Sequence, residues 1–190
     1  MADYQLCIPI VLENEGGLVD NPNDRGGITN YGVSLRFAEG TGDMELFDVD
    51  HDGDIDREDI KKLSIEDATE GFKKYFWDKF DLDNESSDAV SLCIFDVAVN
   101  HGNKNAANMI QKALVEMGYN IAIDGKVGPR TLAALHSANE EKFIERLLDV
   151  RSRFYDRIVE RNPSQIVFLK GWKNRIKHLR VAAGELIAVC

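Results

Sequence analysis

The chain has 190 residues, 44 % apolar and 29 % charged, with a formal net charge of −10. That length suits one domain or one with a small companion lobe, and that apolar share fills a core, which excludes a disordered tail. The acidic balance argues against nucleic acid as a partner, because phosphate contacts need a cationic face. No apolar run reaches the roughly 18 residues that span a bilayer. The first residues carry neither a basic n-region nor a small-residue cleavage site, so no signal peptide is expected.

In chain order, the first predicted helix covers about 3–14 and ends at Gly16 and Gly17. Cys7 within it and Cys93 further on sit among apolar residues. With Cys190 they form an odd, widely spaced set without a CxxC, so both read as buried hydrophobes rather than redox or metal groups. A reducing cytoplasm as the site of synthesis fits this usage.

The segment from Glu15 to Val33 is unusual. Glu15 sits at a helix end beside two glycines, an Asp-Asn-Pro-Gly turn containing Asp24 follows, and a Thr29-containing hairpin is expected between Gly26 and Leu35. Glu15, Asp24 and Thr29 can thus share one cleft edge. Glycoside cleavage needs a carboxylic acid to protonate the leaving oxygen and a second group to hold water or stabilise the oxocarbenium-like state. By spacing alone, a helix-ending Glu and two Asx-turn aspartates fit equally well.

Residues 43–59 then hold nine acids and one base, Arg57. Within them Asp48, Asp50, Asp52, Asp54, Asp56 and Asp59 occupy positions 1, 3, 5, 7, 9 and 12 of a twelve-residue loop, with Gly53 at position 6 and Ile55 at position 8. This is the ligand spacing of an EF-hand-type Ca²⁺ loop, Asp54 contributing its carbonyl and Asp56 a water-bridged contact. Position 12 is Asp59 rather than a bidentate Glu, and the loop has no paired second copy. Both features favour a structural calcium over a signalling switch.

Helical periodicity covers most of the rest. A helix over 64–80 opens with Ser64 and Asp67 as a capping box and turns Ile65, Ala68, Phe72, Phe76 and Phe80 inward. Residues 88–99 read as a buried central helix. Residues 104–117, 140–160 and 171–188 read as three more, and the glycine- and proline-rich stretch at 118–129 is the clearest internal break. The last of these helices carries Lys170, Lys173, Arg175, Lys177 and Arg180 opposite Trp172 and Leu179. The pattern is that of a basic amphipathic helix, or of a plain solvated helix face.

Glu15-Gly16-Gly17, then Asn21-Pro22-x-Asp24-x-Gly26-Gly27-x-Thr29-x-x-Gly32, resembles the signature of glycoside hydrolase family 108. Two more blocks fit, Phe95-Asp96-Val97-Ala98-Val99-Asn100-His101-Gly102 and the closing Gly171-Trp172-x-x-Arg175. The stretch Ile123-Asp124-Gly125-Lys126-Val127-Gly128-Pro129 is similar to peptidoglycan-binding repeats. The resemblance implies a mainly α, lysozyme-like fold with a small β-hairpin, and the calcium loop at about 41–63 stands as an insertion. It implies a catalytic region over 1–102 and a helical peptidoglycan-binding region over 103–190, packed as one globular unit. It implies a monomeric N-acetylmuramidase that hydrolyses the β-1,4 bond between N-acetylmuramic acid and N-acetylglucosamine, as phage or prophage endolysins do. Such an enzyme is held in the host cytoplasm until lysis and then reaches the wall, and its basic C-terminal helix would touch the wall or an outer membrane. Glu15 would be the general acid, Asp24 and Thr29 its supports, and Asn100, His101 and Tyr31 substrate contacts. His101 equally suits a helix end before Gly102. The contrasting reading is a non-catalytic, calcium-binding wall or secretion-associated protein that keeps the fold.

Overall fold

A computed structural model describes residues 1–20 and 27–189. Ten α-helices and one two-stranded hairpin occur among these residues. They are α1 Tyr4–Leu12, β1 Thr29–Asn30, β2 Val33–Ser34, α2 Leu35–Thr41, α3 Met44–Phe47, α4 Arg57–Lys62, α5 Ile65–Phe72, α6 Asp88–His101, α7 Asn103–Glu116, α8 Pro129–Ser137, α9 Glu140–Arg161 and α10 Ile166–Val189. The expected mainly α architecture with a small hairpin is what the chain adopts. It packs as two compact units, one of Met1–Cys7 with Phe76–Cys190, the other of Ile8–Tyr75. The division by packing therefore differs from the division at 102/103 read from family pattern.

In the larger unit α6 is the axis. Every residue from Ala89 to Ala98 is buried, so the helix has no polar stripe and must be surrounded. α7, α9 and α10 pack around it. Tyr4 meets Trp77 edge-on at 5.1 Å and tilts against Phe95 at 5.5 Å. Cys7 and Cys93 are free and buried, as the sequence suggests. Burial, helped by the charges of Asp88 and Asp3, pushes the Cys7 thiol up to about 12, which leaves it inert.

The smaller unit is built around Val11, Ile28, Val33, Ala38, Phe47 and Ile60, all fully buried. Phe37 sits edge-on to both Phe47 and Tyr75, at 6.0 and 5.7 Å. Ser64 and Asp67 form the expected capping box of α5. The continuous helix expected over 64–80 is broken, however. α5 ends at Phe72, a π turn covers Lys73–Trp77 and a 3-10 turn covers Asp78–Phe80. The changes of pitch still bury Phe72, Phe76 and Phe80, while Ile65, expected inward, is 44 % exposed.

Candidate active site

The candidate site starts where α1 stops. The Glu15 N–H donates to the Leu12 carbonyl at 3.0 Å, closing a final turn, and Gly16 follows with φ +74°. The left-handed backbone at Gly16 is easy for a residue without Cβ and lets the chain leave the helix sharply. The chain then runs back as an extended segment: Val19 and Thr29 exchange both backbone hydrogen bonds, at 2.8 and 2.9 Å. Thr29 thus lies between the Val19 segment and Ser34, its partner on β2.

The hairpin pairs Asn30 with Val33, and the two residues between have positive φ, Tyr31 at 47° and Gly32 at 82°. Positive φ at both central positions is the requirement of a type I′ turn, which matches strand twist. The turn faces Glu15. A Cβ built on Gly32 would lie 2.8 Å from the Glu15 Cβ, 3.0 Å from its Cγ and 3.0 Å from the Phe72 ring. Gly32 is therefore what allows the half-buried Glu15 side chain to lie across the turn. Tyr31 is half-buried at the same turn. The Asp24 assignment lies outside the described residues.

Asn30 ties this hairpin to the acidic segment. Its buried Nδ2 donates to the carbonyls of Ile60 and Leu63, at 3.0 and 3.3 Å, at the C-terminal end of α4. The Asp20 carboxylate accepts two hydrogen bonds from Arg57 Nη2, at the start of α4.

The acidic loop is folded around its own carboxylates. Asp59 is 1 % exposed; its Oδ1 accepts from the Val49 and Asp50 N–H groups and its Oδ2 from that of Asp56. Asp48 accepts from Asp52 and Gly53. Asp56 caps α4 through the Glu58 N–H. Gly53 carries φ +102°, the sharp turn expected at position 6. Asp48, Asp50 and Asp52 bring one oxygen each within 4.8 Å of one another, and Asp54, Asp56 and Asp59 do the same as a second group. The salt bridge from Lys62 holds the Asp50 carboxyl below the usual carboxylate range. Its Oδ1 is nonetheless buried with no hydrogen-bond partner among the described residues. Repulsion from Asp52 pushes the Asp54 carboxyl up. An orphaned acceptor in a crowd of carboxylates is the chemistry that fits a hard divalent cation.

Asn100 and His101 end α6 in the larger unit, where the structure ties both to α9. Arg151, fully buried, donates from Nη2 to Asn100 Oδ1 at 3.1 Å and from Nε to His101 Nε2 at 3.1 Å. Tyr155 Oη also donates to Asn100 Oδ1, at 2.8 Å. Arg151 Nη1 meets Asp96 Oδ1 at 2.5 Å, and Arg175 grips the same carboxylate through Nε and Nη2 at 2.8–3.1 Å. Burial alone would raise the Asp96 carboxyl, but the two guanidiniums outweigh it and keep it low. His101 is pushed down to about 3, first by burial and then by the Arg151 charge. It is a neutral acceptor here, not a proton donor. Asn100 is exposed at the helix end. Because both donors reach its Oδ1, the Nδ2 amide is the group left for other acceptors.

Arg151, Tyr155 and Arg175 escaped the sequence reading as partners of this network. The signal was present. Ile144, Leu147, Leu148, Arg151 and Tyr155 share one helical stripe, and Asp96 lies inside an otherwise apolar run that demanded a cation. The basic face expected on α10 also needs correction. Arg175 is turned inward on Asp96, Lys173 bonds Ser152 and Asp156, and Arg180 pairs with Glu145 and Asp149. Lys170 and Lys177 alone of the five have no carboxylate partner among the described residues.

Comparison with known proteins gives the family. Residues 8–102 match the family model described as Glycosyl hydrolase 108, and residues 105–177 match the model described as Predicted Peptidoglycan domain. No curated protein matches the chain. Among solved structures, the one titled "Structure of Brucella abortus SagA" is similar at 26 % identity, over 96 % of this chain and 94 % of that chain, with a TM-score of 0.75. The first family match contains Glu15, the hairpin and α6, and the second contains the Gln111 loop, Arg151 and the Trp172–Arg175 block. The chain belongs to the glycosyl hydrolase 108 family and is a glycoside hydrolase directed at peptidoglycan.

Proposed function

We propose that the chain is an N-acetylmuramidase that cleaves the β-1,4 bond between N-acetylmuramic acid and N-acetylglucosamine, and that it acts as an endolysin. The observation that carries this reading is the seat of Glu15, a carboxyl group at a helix end laid across a hairpin turn that only glycine can form there. Held in that way, one side chain has one approach to a glycosidic oxygen. Glu15 donates its proton to the leaving oxygen as the C–O bond breaks. Asp24 stabilises the positive charge that develops on the sugar ring, and the Thr29 hydroxyl orients the water that completes hydrolysis. Tyr31 contacts the sugars at this turn, and the Asn100 amide is a separate sugar contact of the larger unit. His101 fixes Asn100 indirectly, through their shared Arg151.

The same reading gives the acidic loop a calcium ion, held by Asp48, Asp50, Asp52, Asp56, Asp59 and the Asp54 carbonyl. The ion supplies charge neutralisation and stability, not chemistry. α4 leaves this loop, and Asn30 bonds its last carbonyls, so order in the loop is passed to the hairpin.

The test is digestion of purified sacculi by the unaltered chain and by Glu15→Gln, with mass spectrometry of the products. Fragments with N-acetylmuramic acid at the reducing end, lost in the variant, are expected. Fragments ending in reducing N-acetylglucosamine, or lysis undiminished by Glu15→Gln, would refute the assignment.

A further inference from the structure

The loop between α7 and α8 is built by one buried side chain. Gln111 is 1 % exposed; its amide bonds this loop and, at 3.4 Å, the Thr131 hydroxyl on α8. Its Nε2 donates to Asp124 Oδ1 at 2.8 Å and to the Lys126 carbonyl at 2.9 Å. Its Oε1 accepts from the N–H groups of Asp124 and Gly125, at 3.0 and 2.9 Å. Gly125, at φ +73°, packs so closely that a Cβ would meet Lys104 at 3.2 Å. Such a loop has one conformation, ordered before any ligand arrives.

Beside it lies a groove of about 460 Å³, with Ile121, Ala122 and Pro129 as its apolar wall and Asp124, Lys126 and Arg130 as its charges. Lys126 and Arg130 are exposed, and neither has a carboxylate partner among the described residues. Gly128 offers α8 no side-chain cap, so the first-turn N–H groups add positive potential on the same side. Asp124 is held in its ionised form by the Gln111 amide and the Lys126 N–H. The groove therefore presents two cations, one anion and an apolar strip on a rigid floor. A bare glycan strand offers neutral hydroxyl and acetamide groups and makes no use of this pattern. An extended peptide with free carboxylates and an amine does.

We propose that this groove binds the peptide stem of peptidoglycan, with Lys126 and Arg130 on its carboxylates and Asp124 on a diamino-acid ammonium. This deepens the reading above, since it rests on peptidoglycan being the polymer engaged. Stem binding on one side of the enzyme selects peptide-bearing strands over plain β-1,4 glycans.

The experiment uses the full chain, titrated with a free stem tetrapeptide and separately with chitotetraose, followed by amide NMR shifts and calorimetry. The tetrapeptide is expected to shift the amides of Gly125, Lys126 and Thr131. Lys126→Gln and Arg130→Gln, both at exposed positions, each weaken it roughly tenfold. Added salt weakens it further. Both variants keep full activity on peptide-free glycan. Equal tetrapeptide affinity in the double variant, shifts confined to other residues, or chitotetraose filling the groove instead would overturn the proposal. Peptide binding that depends on Lys126 and Arg130, with no glycan cleavage by the unaltered chain, would sustain this site while sinking the muramidase reading.

Discussion

Replacing Asp96 by Asn tests the physical centre of the larger unit. The carboxylate is buried and accepts four hydrogen bonds from two guanidiniums, that of the fully buried Arg151 and that of Arg175, whose side chain is 10 % exposed. Asn keeps the volume and one acceptor but removes the charge. Two cations then face each other at a buried site where solvent screens them little. Breaking a buried pair by removing one partner costs about 3–5 kcal/mol, because the partner is left uncompensated. For a chain of this size each kcal/mol moves the melting temperature by about 2–4 °C. Thermal unfolding followed by far-UV circular dichroism should thus fall by on the order of 10 °C. The control is Arg153→Ala, which breaks a pair with Glu116 whose side chains are 45 % and 39 % exposed. Screened by solvent, that pair contributes less than about 1 kcal/mol. Equal melting shifts for the two variants would show that burial does not set the strength of these pairs, and the account of the network would fail.

Gly32→Ala places a Cβ at 2.8 Å from Glu15 and at φ +82°, so at least a tenfold loss of activity is expected. Gly42→Ala, equally left-handed at φ +66° but in open space, imposes similar strain and should keep its activity; matching losses would remove Gly32 from the site argument. His101 is pushed down to about 3 in the folded chain and titrates near 6.5 when unfolded. Between those values the unfolded state binds the extra proton, so stability falls as pH drops from 6.5 towards 3. Denaturant titrations should show that slope, and His101→Gln should flatten it; an unchanged slope would discount the residue. Chelator should lower the melting temperature and added Ca²⁺ restore it, while a melt indifferent to both would empty the acidic loop of its proposed ion.

Much of the fold was legible because it rests on local chemistry. Ser64 and Asp67 cap α5 as their spacing indicates. The apolar run at 88–99 becomes the axis of the larger unit, and the glycines at 16, 32 and 53 mark left-handed or sharply turned backbone. The site was legible only in part. Glu15 and the hairpin could be paired by pattern, yet the closeness of Glu15 to Gly32 is a contact between separate elements, which no local rule encodes. The π turn at Lys73–Trp77 was hidden for the same kind of reason. Phe72, Phe76 and Phe80 fit an ideal helix, and packing rather than propensity set the pitch. Charge misled most on α10. A run of bases without acids reads as a solvated face, but the acids that pair with it lie on α6 and α9.

Those pairings bear on how the two family matches relate. The first match ends at residue 102 and the second begins at 105, which would suggest two modules joined at the turn between α6 and α7. Asp96, Asn100 and His101 belong to the first, and Arg151, Tyr155 and Arg175 to the second. All six meet in one hydrogen-bonded cluster. α6, buried along ten consecutive residues, is covered by α7, α9 and α10 of the second match. Cutting at the seam would expose that apolar surface and leave Asp96 without either guanidinium. The peptidoglycan half is thus part of the structural frame that holds the end of α6, where Asn100 presents its amide. A segment joined only as a tether would share no buried ion pair with the first half, whereas Arg151 and Arg175 both close on Asp96.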